Sequence, residues 1–467
     1  MQQMSPQDAW FLYADGPRFR HAYVSVYAFA PDDGSDRLPS PEESALWIAQ
    51  RANLPVLRRR LVRTPLDLAR PYWVEDPDTD VSAHVHVHDP MTWDGLREFL
   101  AVLASAPMDY TRPLWEAHVV ARVDAVPGVP RPVTVVAVKI HHCAADGVAS
   151  GEVTRAFFGD DPTGTADGHG GRTPGRGELL VRALAGAPRG VGRVVTAARS
   201  ARSARLAQVA ARESASYPLP PQRRTPTSLD GPVGPGRIFD VATFSLAEMQ
   251  EVKARIGDVT INDLILTVVG GALRAYLAEQ GETPDGSLAA SVPMTVRGAQ
   301  PHSDSNNQFV MTVVDVNTEI ADPIARARAV HDAVLGERRR MTVPAEAAVL
   351  ATDFVLPGWM FRVARWLEQR RGVAPAGVVA RPFNTFVTSV PRRTTPLRLL
   401  DATAVMAFGT STLDGTGTSH SVGSTGDVLA LNITADPALL RDSRRYADLL
   451  RQSYAELRDA AFAMAQG

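Results

Sequence analysis

Absences narrow the field before any motif is read. The 467-residue chain has one cysteine, Cys143, which excludes an intrachain disulfide framework and a zinc site of several thiolates and suits a reducing compartment. Lysine is found only at Lys139 and Lys253, so almost all positive charge is arginine, a bias that a GC-rich genome accounts for without any function. With 49 basic against 51 acidic side chains and a net charge of -2, there is no cationic excess to neutralise a nucleic-acid backbone. No run of 18 apolar residues occurs, and the opening MQQMSPQDAWFLYADGPRFR has no apolar core of a secretory signal. The expectation is a cytoplasmic protein with no spanning segment. No G-x-S-x-G elbow, Walker A loop or G-x-G-x-x-G after a strand is present, which removes the common hydrolase, nucleotide and dinucleotide readings.

What is present resembles ordinary globular usage, 45% hydrophobic and 21% charged, over a length that suits two domains and a linker. The pattern predicts strands over 22–30, 81–88, 115–123 and 133–140 and helices over 41–52, 94–105 and 148–158. The Gly-rich stretch GDDPTGTADGHGGRTPGRG follows and reads as a flexible loop. An Ala- and Arg-rich helical segment over 178–216 and a Pro- and Gly-punctuated stretch then form a crossover. From Arg237 strands and helices alternate again, with a helix over 262–280 and a terminal helix over 441–464. The expected division is an N-terminal domain over 1–175, a linker over 176–236 and a C-terminal domain over 237–467.

The apolar strand 133–140 runs directly into His141-His142-Cys143-Ala144-Ala145-Asp146-Gly147. A chance match to His-His-x-x-x-Asp-Gly in a chain of this composition is roughly a one in a thousand event. Histidine titrates near neutrality and is the first choice for a general base acting on a hydroxyl, provided its tautomer and orientation are held. Asp146, followed by a turn-permitting Gly147, can return a carboxylate that braces the loop. Paired histidines at a strand end can equally be satisfied surface or core residues, so the flanking sequence decides.

Those flanks resemble one family. HHCAADG, with Pro113-Leu114-Trp115-Glu116 upstream and VTINDLIL over 259–266 downstream, is similar to the bacterial wax ester synthase/diacylglycerol acyltransferase family, within the HHxxxDG acyltransferase/condensation superfamily. SPQDAWFLY, LDGPVGPGR, SVPMTVR and LNITADPALLRD extend the resemblance in order along nearly the whole chain. It implies an α/β fold of two chloramphenicol-acetyltransferase-like domains with a tunnel between them, and an O-acyltransferase that moves a fatty acyl group from acyl-CoA to an alcohol or diacylglycerol. Acyl-CoA is then a co-substrate, no cofactor or metal is implied, and contact with a membrane or lipid inclusion is compatible. His142 is implied as the base with His141 beside it, and Arg297 matches a position that pairs with the motif aspartate, giving an expected Asp146 to Arg297 link.

Other residues carry two readings each. Asn262 and Asp263 match the family's Asn-Asp motif, yet Thr260-Ile261-Asn262-Asp263 is also a helix-capping start. Pro113 to Glu116 reads as tunnel lining or as an aromatic anchor. Cys143 reads as a nucleophile or, more simply, as packing. His84, His86 and His88 share a strand face at period 2, which suits a metal or an exposed polar face. The arginines 193, 199, 202, 205 and 212 suit either an anionic lipid surface or a solvated crossover helix. Ser389-Val390-Pro391-Arg392-Arg393 stands where the family continues Asn-Val-Pro-Gly, and Ser305-Asn306-Asn307-Gln308 stands at its Gly-Asn. Both departures lie in the C-terminal half, which helps shape the tunnel, and leave open an acceptor or chain-length preference that differs from long-chain alcohols and diacylglycerol. The alternatives are a natural-product acyltransferase of condensation or polyketide-associated type and a non-catalytic lipid-binding protein.

Overall fold

The computed structural model describes residues 1–32, 37–76, 79–145, 147–159, 173–213, 225–295, 309–350, 358–360, 382–389, 395–413 and 415–464. Two large sheets dominate. The first orders its strands Arg398–Leu399, Ala402–Thr410, Ala22–Pro31, Val133–His141, Trp115–Asp124 and Val85–His88, with Met91–Thr92 also pairing onto Trp115–Asp124. The second runs Phe309–Asp315, Ala289–Thr295, Thr385–Ser389, Thr418–Thr425, Val428–Ala435, Ile238–Ser245. A small sheet of Gln2–Gln3, Tyr72–Glu75 and Arg59–Val62 stands beside the first.

Most expected elements form within a residue or two of their expected bounds, and their ends show why. Ser40 caps Pro41–Arg51 by accepting from the Glu43 N–H, and Ser245 caps Leu246–Ile256 in the same way. The helix Ile261–Glu279 starts in a capping box of Thr260 and Asp263 and is buried at thirteen positions. It is apolar enough by composition to cross a membrane, yet here it is a core helix wrapped by Leu246–Ile256, Pro323–Met341 and Ser443–Ala463. The helical crossover is Arg176–Glu213, with Pro188 inside it. It is anchored by the buried Leu179 and Ala183 near its start and by Gln208 and Arg212 bonding Glu346 near its end, and most of the remainder is exposed. Residues 160–172 of the Gly-rich loop fall outside the described residues, and its last two, Arg176 and Gly177, already belong to the helix.

Two differences from the expectation have physical causes. The strand expected over 81–88 begins only at Val85, because Ser82–His84 closes a 3-10 turn. His84 therefore leaves the face of His86 and His88 and is buried, its Nδ1 2.8 Å from the Trp115 carbonyl. The second difference concerns sheet membership. Arg398–Leu399 and Ala402–Thr410 lie beyond residue 237 in the chain, yet they extend the first sheet by antiparallel pairing of Ala402–Thr410 with Ala22–Pro31. Gly409 permits that approach, since a Cβ there would lie 2.1 Å from the Val24 carbonyl oxygen.

The two halves share a buried seam of Val24, Val26, Leu96, Leu100, Phe239 and Phe408. Within it Arg97 holds Asp240 at 2.6 Å and also donates to the Phe239 carbonyl. A desolvated guanidinium fully engaged in this way makes the pair specify how the helix Trp93–Ser105 seats on Ile238–Ser245.

Candidate active site

The strand Val133–His141, VTVVAVKIH, is buried at every position and is paired on both edges, by Ala22–Pro31 and by Trp115–Asp124. A near-continuous apolar run rich in β-branched residues is what a strand covered on both faces requires. Lys139 is its exception and is fully buried, with Nζ 3.0 Å from the Ala106 carbonyl and 4.0 Å from Glu116, its register partner. Burial lowers the Lys139 pKa and the Glu116 carboxylate works against that shift.

At the strand end the chain turns and every following residue is tied. The His141 N–H donates to the Leu114 carbonyl, and the His142 N–H donates to the His21 carbonyl at 2.8 Å. The Cys143 N–H donates to His141 Nδ1 at 3.1 Å, and the Ala144 N–H to the His141 carbonyl at 2.8 Å. Arg59 reaches the Ala144 carbonyl at 2.8 Å. The turn is therefore closed upon the side chain of His141.

His141 is 1 % exposed. Because Nδ1 accepts the Cys143 N–H, the neutral ring carries its proton at Nε2, an assignment made from its partners. Nε2 lies 3.3 Å from the Tyr110 hydroxyl and 3.7 Å from Asp15 Oδ1. The Tyr110 hydroxyl donates to Asp15 Oδ2 at 2.7 Å, Arg20 Nη1 lies 3.3 Å from the same oxygen, and the His21 N–H donates to Oδ1 at 2.8 Å. Burial works to raise the Asp15 pKa, but the His141 ring beside it and the hydrogen bonds from the His21 N–H and the Tyr110 O–H outweigh burial and hold the carboxyl below its ordinary range. Asp15 is an anion at every working pH. Burial and that anion push the Tyr110 hydroxyl above its ordinary pKa, so it stays protonated.

His142 differs in being only half-buried. Its ring stacks on Phe11 at 4.9 Å and 17° and lies 4.7 Å from Tyr23. The helix Pro6–Ala14, capped by Ser5, presents Phe11 and ends at Asp15, so one short N-terminal element serves both histidines. Of the two rings, His142 is the one that solvent or a substrate can reach.

The remaining expected residues fall into three groups. Asp146 and Arg297 lie outside the described residues, as do 305–308 and 390–393, so the Asp146 to Arg297 link has no geometry here; Gly147 opens the helix Gly147–Phe158. Asn262 and Asp263 sit at the start of Ile261–Glu279. Asp263 is the reciprocal partner in the capping box and also meets His331 Nδ1 at 2.8 Å, while Asn262 accepts from Ser389 Oγ at 3.4 Å. Pro113, Leu114 and Trp115 are buried, and the Trp115 indole donates to the Leu57 carbonyl at 2.8 Å and stacks on His84. Only Glu116 of that motif is partly exposed, next to Lys139 and His118. Its first three residues are thus the anchor that aligns the neighbouring strand with His141.

Cys143 is buried, and burial pushes its thiol well above the ordinary range, which disfavours a nucleophilic thiolate. His88 Nε2 lies 3.0 Å from His118 Nδ1, and His86 stacks on His118. Among the described residues no group of three or more His, Cys, Asp or Glu side chains has the arrangement of a metal site. Asp15, Arg20, Tyr110, Phe11 and Tyr23 are site residues that sequence reasoning missed. The only local hint was Asp15-Gly16-Pro17, a turn at the end of a capped helix, and nothing in it points to His141.

A buried strand delivering a clamped His-His pair to a turn, within a two-sheet α/β architecture, is that of the acyltransferase and condensation fold. It superposes on a wax ester synthase/diacylglycerol acyltransferase from Marinobacter aquaeolei with a TM-score of 0.68 at 21% identity, covering 99% of this chain and all of that one. The starter condensation domain of rhizomide synthetase gives 0.52 at 12% identity, covering 98% and 94%. Residues 4–265 match the wax ester synthase/diacylglycerol acyltransferase catalytic domain and residues 305–458 the C-terminal domain of the same family. The chain belongs to the wax ester synthase/diacylglycerol acyltransferase family and is an acyltransferase. A Mycobacterium tuberculosis protein bearing the name of a diacylglycerol O-acyltransferase is 29% identical across 100% of this chain and 98% of its own length. A second from that organism, similarly named, is 28% identical across 98% and 96%.

Proposed function

We propose that the enzyme transfers a fatty acyl group from acyl-CoA to the hydroxyl of an alcohol or diacylglycerol, with His142 as general base. The carrying observation is the division of labour at the turn: His141 is buried with both ring nitrogens facing partners, whereas His142 is half-buried and held through its backbone. The unprotonated imidazole nitrogen of His142 takes the acceptor's O–H proton. The acceptor oxygen then forms the C–O bond to the thioester carbonyl, and the tetrahedral oxyanion collapses with cleavage of C–S. The departing CoA sulfur takes the proton back from the His142 imidazolium, so ester and free CoA leave with no covalent acyl-enzyme. A tunnel between the two halves, as the family resemblance implies, would admit donor and acceptor from opposite sides.

Ser389, the first residue of the departed segment, meets Asn262 of the family motif. The sequence departures over 305–308 and 389–393 keep other acceptors and a carrier-protein thioester among the substrates to be tried. The enzyme is proposed to work in the cytoplasm without a cofactor. Contact with an anionic lipid surface would run through Arg176–Glu213, where eight arginines face two glutamates and Val191, Leu206 and Val209 are exposed. Thiol release across acyl-CoA lengths, carrier-bound acyl groups and alcohols tests the reaction. CoA release that requires an alcohol is expected, and no release with any acceptor would refute it.

A further inference from the structure

Two hydrogen-bonded routes leave Asp15 and arrive on opposite sides of His142. In the first, Asp15 Oδ1 accepts the His21 N–H, and the His21 carbonyl accepts the His142 N–H, both at 2.8 Å. In the second, Asp15 Oδ2 accepts the Tyr110 O–H, the Tyr110 oxygen faces His141 Nε2, and His141 Nδ1 accepts the Cys143 N–H. The backbone amides of residues 142 and 143 are therefore both traced back to one carboxylate.

We propose that Asp15 and Tyr110 are positioning residues for acyl transfer, holding His141 as its Nε2–H tautomer so that the turn bearing His142 stays closed. The inference rests on His142 being the general base. The proton inventory runs in one direction. Asp15, ionised, only accepts, so the Tyr110 proton points at it. The Tyr110 oxygen is then an acceptor toward His141, which places the His141 proton on Nε2 and leaves Nδ1 free for the Cys143 N–H. Reversing the tautomer would set an Nδ1–H against the Cys143 N–H, and the turn would open. Arg20, which bonds both Asp15 and the Ser105 carbonyl, fixes the carboxylate from the far side. The structural cost of a buried carboxylate is thus met by Tyr110 and the His21 N–H, which lead to His141 and to the backbone before His142, and by Arg20.

The test is CoA release by the full chain in Tyr110→Phe, Asp15→Asn, the double variant and His142→Ala, with thermal melting of each. A base displaced by about 1 Å loses on the order of 100-fold, so kcat is expected to fall roughly ten- to a hundredfold in each single variant. KM for acyl-CoA should stay within about twofold, and the double variant should fall little below Asp15→Asn, since Tyr110 acts only along a route that starts at Asp15. Should Asp15→Asn fail to fold, Tyr110→Phe decides alone, because it removes one oxygen and leaves Arg20 and the His21 N–H on the carboxylate. Full kcat in folded Tyr110→Phe, or a raised KM at constant kcat, overturns the proposal. An inactive His142→Ala beside a fully active Tyr110→Phe would sink only this inference, whereas an active His142→Ala would sink the reading beneath it.

Discussion

Each half of the molecule carries a histidine on a central strand of its sheet, and the two have opposite fates. His141 closes Val133–His141, where the sheet ends and the chain turns. His420 lies inside Thr418–Thr425, fully buried, with Thr385 Oγ1 and the Tyr446 hydroxyl each 3.0 Å from a ring nitrogen. Burial lowers the His420 pKa to about 4. Among the described residues no carboxylate offsets that shift, only the Phe386 carbonyl opposes it, and the ring is neutral near neutral pH. Both histidines are well hydrogen-bonded, and hydrogen bonding does not distinguish them. What does is the strand end, which allows the next residue, His142, to stand half in the open while its backbone is clamped. A mid-strand histidine has a neighbour on the opposite face of the same buried sheet and nothing to deliver.

Three experiments could break that contrast, beginning with the largest effect. His420→Ala should destabilise the fold by about 3 kcal/mol, because it leaves a cavity and strips partners from Thr385 and Tyr446, while the folded fraction keeps its turnover. Lost specific activity at unchanged melting temperature would make His420 functional after all. The second follows from the depressed His420 pKa. Between pH about 6.5 and about 4 the unfolded chain takes up a proton there that the folded chain refuses, so stability falls as pH drops through this window. The shift corresponds to roughly 3 kcal/mol at most. Asp15 acts in a lower window: its depressed pKa contributes stability that is present above the unfolded carboxyl value near 3.9 and is lost as pH falls toward about 2. Melting scans of the wild type and His420→Gln should diverge between pH 7 and 4.5, and superimposable scans would contradict the assignment. The smallest effect belongs to Cys143→Ala, which should cost about 1 kcal/mol of stability for its lost sulfur and leave kcat within about twofold.

How much of this was legible in sequence follows from how local each feature is. The HHCAADG run and the strand that precedes it are contiguous, so the centre of the proposed site could be read directly. The Thr260 to Asp263 cap could be too, because capping is a four-residue device. His84 was misplaced because alternation at period 2 continues into a 3-10 turn that the pattern does not mark. Asp15 and Tyr110 are 95 residues apart and meet only through the fold, so no spacing rule reaches them. The entry of Ala402–Thr410 into the first sheet was hidden for a similar reason: a strand's own residues record its two faces, not which edge it will pair with.

The most direct measurement is the turnover of His142→Ala, followed by CoA release with acyl-CoA and alcohol in excess and accompanied by its melting temperature. Loss of a positioned general base predicts kcat reduced by roughly 100- to 10,000-fold with the melting temperature nearly unchanged. Wild-type turnover in a folded His142→Ala would contradict the assignment of His142 as the base.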